Sequence, residues 1–262
     1  MTLVQAGLLV LAAFLAGALN AVAGGGTFIS YPALVFTGVP LITSSATSSV
    51  ALLPGMLTSA VTYRKSLKVE RGQLLLQSGI GVVGGLLGAV LLLRTPSKTF
   101  ALVLPFLLLL ATLLFAFGPR LTAQLRQRAP AAASTPWVGQ AFAAVVLLVF
   151  AIYGGFFGGG MSILILALLS IIGMTNINQM NALKTILNST INVMAVITFI
   201  VLRAVWWPQA LVMMLGSIAG GFGGAAVAQR LDPRVVRGFV IAVGTALSIY
   251  FFVAQYVFTA QK

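Results

Sequence analysis

Apolar runs of about twenty residues recur along the whole chain, and short polar or basic stretches separate them. Each long run could cross a bilayer core of roughly 30 Å as an α-helix. The runs do not alternate between polar and apolar positions, as the strands of a membrane barrel would. The pattern predicts eight long transmembrane helices, at 3–23, 43–62, 73–93, 99–117, 137–157, 185–202, 208–229 and 238–258.

Two shorter apolar segments, 28–42 and 161–174, each follow a glycine triplet. Their length is marginal for spanning a membrane. Each could be a short tilted helix that crosses, or a re-entrant piece buried within the protein. The pattern alone leaves both alternatives open.

The chain repeats itself at nearly constant spacing. "AGGGTFISYPALVFTG" and "FGGGMSILILALLSIIG" are 134 residues apart, and "ATSSVALL" and "ALKTILNS" are 136 apart. "GGLLGAVLLLR" and "GGFGGAAVAQR" are also 136 residues apart. Three matches in the same order indicate an internal duplication. We therefore predict a first transmembrane repeat at 1–118, a polar, basic cytoplasmic linker at 119–136 and a second repeat at 137–262.

Loop charge bears on how the halves are oriented. If the short segments span, each half has five segments and the halves are inverted. The basic loops 63–72, 118–136 and 230–237 then all face the cytoplasm, and both termini lie outside. If the segments are re-entrant, each half has four spans and the loop 230–237 lies outside. The positive-inside rule favours inverted repeats.

Composition supports a membrane protein and excludes several functions. The chain is 60% hydrophobic and 6% charged, with a mean hydropathy of +1.11, whereas soluble domains carry about 25% charged residues. We predict an all-α polytopic membrane protein. Its net charge of +13 comes from basic residues in short loops, which is a topology signal and not a nucleic-acid footprint.

Few side chains could support catalysis or proton transfer. The chain has no cysteine and no histidine, and its two carboxylates, Glu70 and Asp232, lie outside the apolar segments. We therefore expect no enzyme activity, no metal site and no cofactor. Buried carboxylates or histidines, which proton-coupled carriers commonly use as relays, are also missing.

One polar stripe interrupts the apolar pattern of the second half. Asn181, Lys184, Asn188 and Asn192 recur at helical spacing and share one face, with Thr185 beside it. A charge at the bilayer centre costs at least about 2.5–3.5 kcal/mol. No carboxylate is available to offset it, so the stripe predicts an anionic ligand. The alternative is an interfacial lysine that extends towards the lipid headgroups.

The first half carries matching features around the predicted site. Thr47, Ser48 and Ser49 in "TSSATSS" are expected to form the wall opposite Lys184. The glycine triplets are expected to break their helices and present backbone N–H groups to an anion, although close helix packing is the simpler alternative. Asn20 could either line the site or bond a neighbouring helix. The glycines concerned are Gly24, Gly25, Gly26, Gly158, Gly159 and Gly160.

These motifs resemble the sulfite exporter TauE/SafE family of bacterial membrane transporters. The resemblance rests on "NAVAGGGTFISYPALVFTGVPLITSSATSSVALLPG", "YGGFFGGGMSILILALL" and "NALKTILNSTIN", and it extends over nearly the whole chain. It implies a protein of the bacterial inner membrane that moves sulfite, sulfonates, sulfoacetate or related anions outward. In the first half, Ser49 stands where the family pattern often carries lysine.

Taken together, the residues and the resemblance predict a secondary transporter that exports small sulfur-containing or organic oxyanions. Its partners would be the anion and the lipid bilayer, with no nucleic acid. An anion channel and a sodium-coupled anion importer share the same features. A membrane assembly subunit is a further alternative, although it would not need the lysine-bearing stripe. The oligomeric state stays open, with a homodimer as one alternative.

Overall fold

The computed structural model of the chain describes residues 1–22, 24–63, 70–128, 136–174, 176–224 and 233–257. All the regular secondary structure in these ranges is helical, as predicted. Six of the helices are long and apolar enough to cross a membrane, namely α1, α3, α4, α5, α8 and α10. The ten helices are α1 (Leu3–Val22), α2 (Thr27–Phe36), α3 (Leu41–Tyr63), α4 (Arg71–Arg94), α5 (Ser97–Arg128), α6 (Pro136–Phe156), α7 (Met161–Ile171), α8 (Ile177–Val201), α9 (Trp207–Ala219) and α10 (Pro233–Phe252).

The two helices after the glycine triplets are shorter than the apolar segments predicted. Gly38 and Gly173 end them in the left-handed conformation, with φ of 91° and 88°. At the end of α2, Val39 N–H donates to Leu34 O, and at the end of α7, Met174 N–H donates to Leu169 O. This is the hydrogen-bond pattern of a glycine-terminated helix.

Helices α5 and α8 are longer than the apolar pattern indicated. The backbone of α8 begins at Ile177, and Asn176 Oδ1 accepts a hydrogen bond from Gln179 N–H at 3.2 Å, as an N-cap does. The polar stripe therefore lies inside α8, and Lys184 is two turns from its start. Helix α5 continues to Arg128 and occupies the first half of the predicted linker.

Several sequence predictions concern residues that lie outside the described ranges. They include residues 129–135 of the linker, residues 64–69 of the first basic loop, the end of the predicted helix 208–229 (225–229) and the first three residues of the loop 230–237. Helix α9 ends in one π-helical turn, Gly220–Gly224, and α10 ends in another, Val253–Val257.

Helix α1 packs along α9 with both helices pointing in the same direction. Gly216 lies against Val10 O, and Gly220 lies against Phe14 O one turn later. Both contacts bring backbone close to backbone, which small residues allow in membrane helices.

Helix α3 also runs in the same direction as α9. Ser217 Oγ donates to Ala51 O at 2.6 Å, and one turn later a Cβ at Gly221 would lie 3.2 Å from Gly55 Cα. Since α1 and α3 both run with α9, they are parallel to each other. The short helix α2 must therefore return the chain to the side at which α1 begins.

The second half makes the same contacts with the roles exchanged. Helix α4 replaces α9 as the shared partner, and α6 and α8 pack on it as α1 and α3 pack on α9. Gly84 lies against Ala151 of α6, and a Cβ at Gly85 would lie 2.5 Å from Ile191 O of α8. Each half therefore supplies a glycine-rich helix for two helices of the other half.

The largest apolar cluster joins the two halves around α2. The ring of Phe28 packs edge-on against Phe115 of α5, with centroids 5.6 Å apart. Tyr31 packs against Phe157, which follows α6, at 6.1 Å. All four side chains are buried, so this cluster fixes α2 relative to the start of α7.

We predict that Gly88→Ala destabilises the protein, because a Cβ there would meet Ile152 O and lie 2.8 Å from Phe156 N. Overpacking of this kind costs about 1–3 kcal/mol. The matched control is Gly79→Ala on the same helix, where a Cβ meets nothing within 4 Å and alanine favours the helix. Thermal unfolding in detergent should show a lower midpoint for Gly88→Ala only. Equal midpoints would contradict this packing.

Candidate functional site

Both glycine triplets interrupt the helical path, as the sequence predicted. The backbone φ is 76° at Gly24 and 93° at Gly25, and it is 76° at Gly158 and Gly160. Side-chain-bearing residues rarely adopt these values. The first break separates α1 from α2, and the second separates α6 from α7.

A side chain from the preceding helix holds each break. Gly26 N–H donates to Asn20 Oδ1 at 2.8 Å, and the Tyr153 hydroxyl donates to Gly159 O at 2.6 Å. Each bond spans six residues and satisfies a backbone group that no helix supplies with a partner. The amide group of Asn20 keeps its Nδ2 atom as a donor.

The stripe on α8 is a connected set of polar side chains. Lys184 Nζ donates to Asn181 Oδ1 at 3.3 Å, and Thr185 Oγ1 donates to Asn181 O at 2.7 Å. Further along, Asn188 Nδ2 donates to Ser162 Oγ of α7 at 3.4 Å. The stripe therefore faces α7 and the second break.

Two adjoining cavities lie against this stripe. We name the first the head chamber; its cavity volume is about 20 Å³, room for about one water molecule, and it is lined by Asn20, Met56, Ser162, Lys184, Thr185, Asn188 and Ser189. We name the second the tail chamber; its cavity volume is about 30 Å³, and it is lined by Asn20, Gly25, Thr27, Ser49, Leu52, Met56, Phe157, Gly158, Met161, Ser162, Asn188 and Asn192. Four residues belong to both walls, so the chambers are neighbours.

The head chamber has a positive electrostatic character. Lys184 is partly buried in its wall, and no carboxylate partner for it exists in the described part of the chain, where the one acidic residue is the exposed Glu70. The N-termini of α2 and α7, which carry partial positive charge, reach the tail chamber at Thr27 and Met161. An anion is the ligand that this arrangement would stabilise.

Half of the sequence-predicted site residues line a chamber. They are Asn20, Gly25, Ser49, Gly158, Lys184, Thr185 and Asn188. Asn20 thus lines both chambers and also bonds its own break, where the sequence left two roles as alternatives. Asn181 supports Lys184 from behind, through its Oδ1 atom.

The first-half serine patch is mostly structural in its contacts. Ser48 is buried and shares a 2.6 Å hydrogen bond with Ser30 of α2. Thr47 is buried, and its Oγ1 accepts a bond from Trp206 N–H at 3.1 Å. Neither residue lines a chamber. Of the three residues predicted to form the wall opposite Lys184, only Ser49 lines one.

The remaining predicted glycines act through the shape of the breaks. A Cβ at Gly24 would lie 2.6 Å from Ser162 Oγ, and Gly26 supplies the N–H that Asn20 binds. Gly159 supplies the carbonyl that Tyr153 binds, and Gly160 is the left-handed residue before α7. These four residues shape the site and do not line it.

Several wall residues were not predicted from the sequence. Ser189 Oγ is buried without a hydrogen-bond partner and lies in the wall of the head chamber. The sequence feature that could have indicated Ser189 is its position beside the polar stripe, five residues after Lys184. The apolar wall residues could not be separated from ordinary core residues. The missed residues are Thr27, Leu52, Met56, Phe157, Met161, Ser162 and Ser189.

The register of the repeat also corrects one correspondence. At the 136-residue spacing, Lys184 corresponds to Ser48 and Thr185 corresponds to Ser49. The missing lysine therefore corresponds to Ser48, one residue before the Ser49 predicted above. The packing agrees with this register. Ala51 O accepts a hydrogen bond from Ser217. The counterparts of these two residues in the other half, Leu187 and Gly81, also lie close together.

A metal site is not formed by the residues that the structure describes, where no three His, Cys, Asp or Glu side chains come together. The donors that line the chambers are hydroxyl and amide groups and one ammonium group. Such donors suit an oxyanion.

Comparison with known proteins assigns the chain to a family. The model of the family described as sulfite exporter TauE/SafE matches residues 9–251. The chain belongs to the TauE/SafE family. No solved structure matches it.

Named bacterial relatives of this TauE/SafE member have nearly the same length. A Sinorhizobium protein named "Probable membrane transporter protein ORF9" is 28% identical over 242 residues, which cover 92% of this chain and 90% of that protein. "Probable membrane transporter protein YfcA" of Escherichia coli K12 is 26% identical over 243 residues, covering 92% and 87%. A "Probable membrane transporter protein" of Haemophilus influenzae is 28% identical over 241 residues, covering 90% and 91%. These findings support a multi-pass membrane transporter.

We predict that Asn20→Asp strongly reduces anion flux into proteoliposomes. The new side chain keeps an oxygen for Gly26 N–H, but it places a negative charge in both chambers. Like-charge contacts cost several kcal/mol, so the flux should fall about tenfold or more. Gln73→Glu, an exposed position on α4 outside both walls, is the matched control. Unchanged flux in Asn20→Asp would show that the anion does not pass Asn20.

Proposed function

We propose that this TauE/SafE member is a secondary transporter that exports small oxyanions across the bacterial inner membrane. Sulfite, sulfonates and sulfoacetate are the candidate substrates. The observation that carries the proposal is Lys184, a cation without a carboxylate partner in the described residues, in a chamber lined by hydroxyl and amide groups.

The head chamber offers the hydrogen bonds that an oxyanion needs. Lys184 supplies the countercharge, and its bond to Asn181 holds the ammonium group at the wall. Ser189 supplies a hydroxyl group that has no other partner, and the amide of Asn188 lies between the two chambers. The Thr185 hydroxyl already donates to Asn181 O, so it supports the wall and does not donate to the anion. Charge-assisted bonds to an anion are about twice as strong as neutral ones.

The membrane potential would supply the driving force for export. With a negative cell interior, each negative charge that leaves gains about 2.3 kcal/mol per 100 mV. Export therefore needs no coupled cation. Neither chamber has a carboxylate or histidine in its wall, so a side-chain proton relay is not part of the proposed mechanism.

We infer further that the two repeats are inverted and move against each other. The parallel arrangement of α1, α3 and α9, and the matching arrangement of α6, α8 and α4, supports this proposal. The chambers lie between the halves, with α3 on one side and α8 on the other. Rocking of one half against the other would open the site to either side.

The first test compares anion flux in wild-type proteoliposomes with Lys184→Ala and Lys184→Gln at matched insertion. Removing one partner of a buried charge pair costs about 2–5 kcal/mol, so flux should fall at least about thirtyfold in both variants. Wild-type flux should also follow an imposed potential. Lys98→Gln, an exposed lysine at the start of α5, is the matched control.

Two other outcomes would reject the assignment. Normal flux in both Lys184 variants would mean that the lysine is an interfacial anchor. Loss of flux in the Lys98→Gln control as well would mean that the flux depends on the total positive charge of the protein and not on a charge in the head chamber.

The inverted arrangement can be tested by labelling single introduced cysteines, because the chain has no cysteine of its own. Pro40 and Asn176 precede α3 and α8, are exposed, and are 136 residues apart. We predict that Pro40→Cys and Asn176→Cys react with an impermeant thiol reagent from opposite faces of the membrane. Lys98→Cys should react from the same face as Pro40→Cys. Labelling of Pro40→Cys and Asn176→Cys from one face would indicate parallel repeats.

A further inference from the structure

Each chamber by itself is too small for an oxyanion. The head chamber has a volume of about 20 Å³ and the tail chamber one of about 30 Å³, and a cavity of about 10–15 Å³ is needed to hold one water molecule. An oxyanion has a central atom and several oxygens, so it is larger than a water molecule. The site is therefore closed in this structure, and a bound anion must occupy space that a side chain now fills.

The boundary between the chambers is where such a side chain must lie. Four residues line both chambers, namely Asn20, Met56, Ser162 and Asn188. Hydrogen bonds hold three of them. Asn20 Oδ1 accepts from Gly26 N–H at 2.8 Å, and Asn188 Nδ2 donates to Ser162 Oγ at 3.4 Å. The fourth, Met56, has an apolar side chain, which hydrogen bonds do not fix.

Apolar packing does not fix Met56 either. Its side chain is partly buried and is not a member of any apolar cluster in the described part of the chain. The neighbouring Leu53, by contrast, packs against the largest apolar cluster. Methionine is unbranched and has several rotatable bonds, so it changes its conformation easily. Met56 can therefore turn while the helix around it stays packed.

The backbone beside Met56 is also less constrained than that of a regular helix. Pro54 lies inside α3 and cannot donate the helical hydrogen bond to the carbonyl group four residues earlier. Gly55, which follows it, has no side chain. On α8 the corresponding residues, 136 positions later, are Thr190 and Ile191. The turn of α3 that carries Met56 thus has a freedom that the equivalent turn of α8 lacks.

The repeat shows the same contrast in the side chain itself. Asn192 corresponds to Met56 at the 136-residue spacing, and it lines the tail chamber. Its Nδ2 atom donates to Asn188 O at 2.9 Å and to Asn188 Oδ1 at 3.2 Å. The same helix position is therefore fixed by hydrogen bonds on α8 and free to turn on α3.

We propose that Met56 is a movable partition between the two chambers. Its side chain separates them in the closed state. When it turns away, they join into one cavity with Lys184 at one end and the N-termini of α2 and α7 at the other. The anion binds in this joined cavity, so Met56 controls the size of the site. This inference rests on the proposed function and adds the residue that admits the anion.

The test is the transport KM of Met56→Ala in proteoliposomes, measured with sulfite and with sulfoacetate. Alanine removes the partition, so the anion no longer has to displace it. Moving a side chain from its preferred conformation changes an equilibrium constant by about two- to tenfold, and the KM should fall by that factor. The KM does not depend on the amount of folded protein, so a loss of stability would not imitate this result.

Two matched variants separate the partition from a general loosening of α3. Met56→Leu keeps a side chain of similar volume with less freedom to turn, so its KM should be no lower than that of the wild type. Leu57→Ala removes an exposed apolar side chain at the next position, outside both walls, and its KM should match the wild type. An equal fall in either variant and in Met56→Ala would overturn the inference. An unchanged or higher KM in Met56→Ala would also overturn it.

Methyl NMR of the protein in detergent observes the partition directly. With isotope-labelled methionine methyl groups, the Met56 resonance is identified by its absence from Met56→Leu. We expect it to shift when the transported anion, sulfite or sulfoacetate, saturates the protein. If flux depends on Lys184 but this resonance does not move, the inference falls and the proposed function stands. If neither anion shows flux that depends on Lys184, the proposed function falls and the inference falls with it.

Discussion

The structure depends on one constraint, that a helix broken within a membrane must find partners for its freed backbone groups inside the protein. Each break here is held by a side chain six residues earlier, Asn20 in one half and Tyr153 in the other. Because the breaks are stable, the short helices α2 and α7 can start beside the cavities. The same breaks also turn the chain, and so they determine which helices can pack against each other.

Glycine has a second role in this fold, which is to bring the two halves into close contact. The glycines of α4 and α9 place backbone against backbone of helices from the other half. Close packing of this kind leaves little freedom for the framework to diverge between halves. The side chains at the chambers, by contrast, differ between the halves. Lys184 corresponds to Ser48, which instead joins α2 and α3.

Much of the framework could be predicted from the sequence, because long apolar runs and glycine triplets have direct physical causes. The ends of α8 and α5 could not, since Asn176 caps one helix and basic helix-forming residues continue the other beyond the apolar run. In the site, Lys184 was recognisable because a charge in an apolar run is costly. Leu52 and Phe157 were not, because an apolar wall residue and a core residue look alike in sequence. The contacts of Thr47 and Ser48 with Trp206 and Ser30 could not be predicted, because hydroxyl groups in membrane helices also hydrogen-bond across to other helices.

Lys184 has no carboxylate partner among the described residues, and this has a consequence for the transport cycle. On the proposed function, the loaded protein changes between its two open states with the ammonium group neutralised by its cargo. The empty protein must make the return change with that charge bare, which costs more in a medium of low polarity. Return would therefore be the slow half of the cycle. A transporter of this kind would work fastest when an anion is present on both sides of the membrane, exchanging one for another.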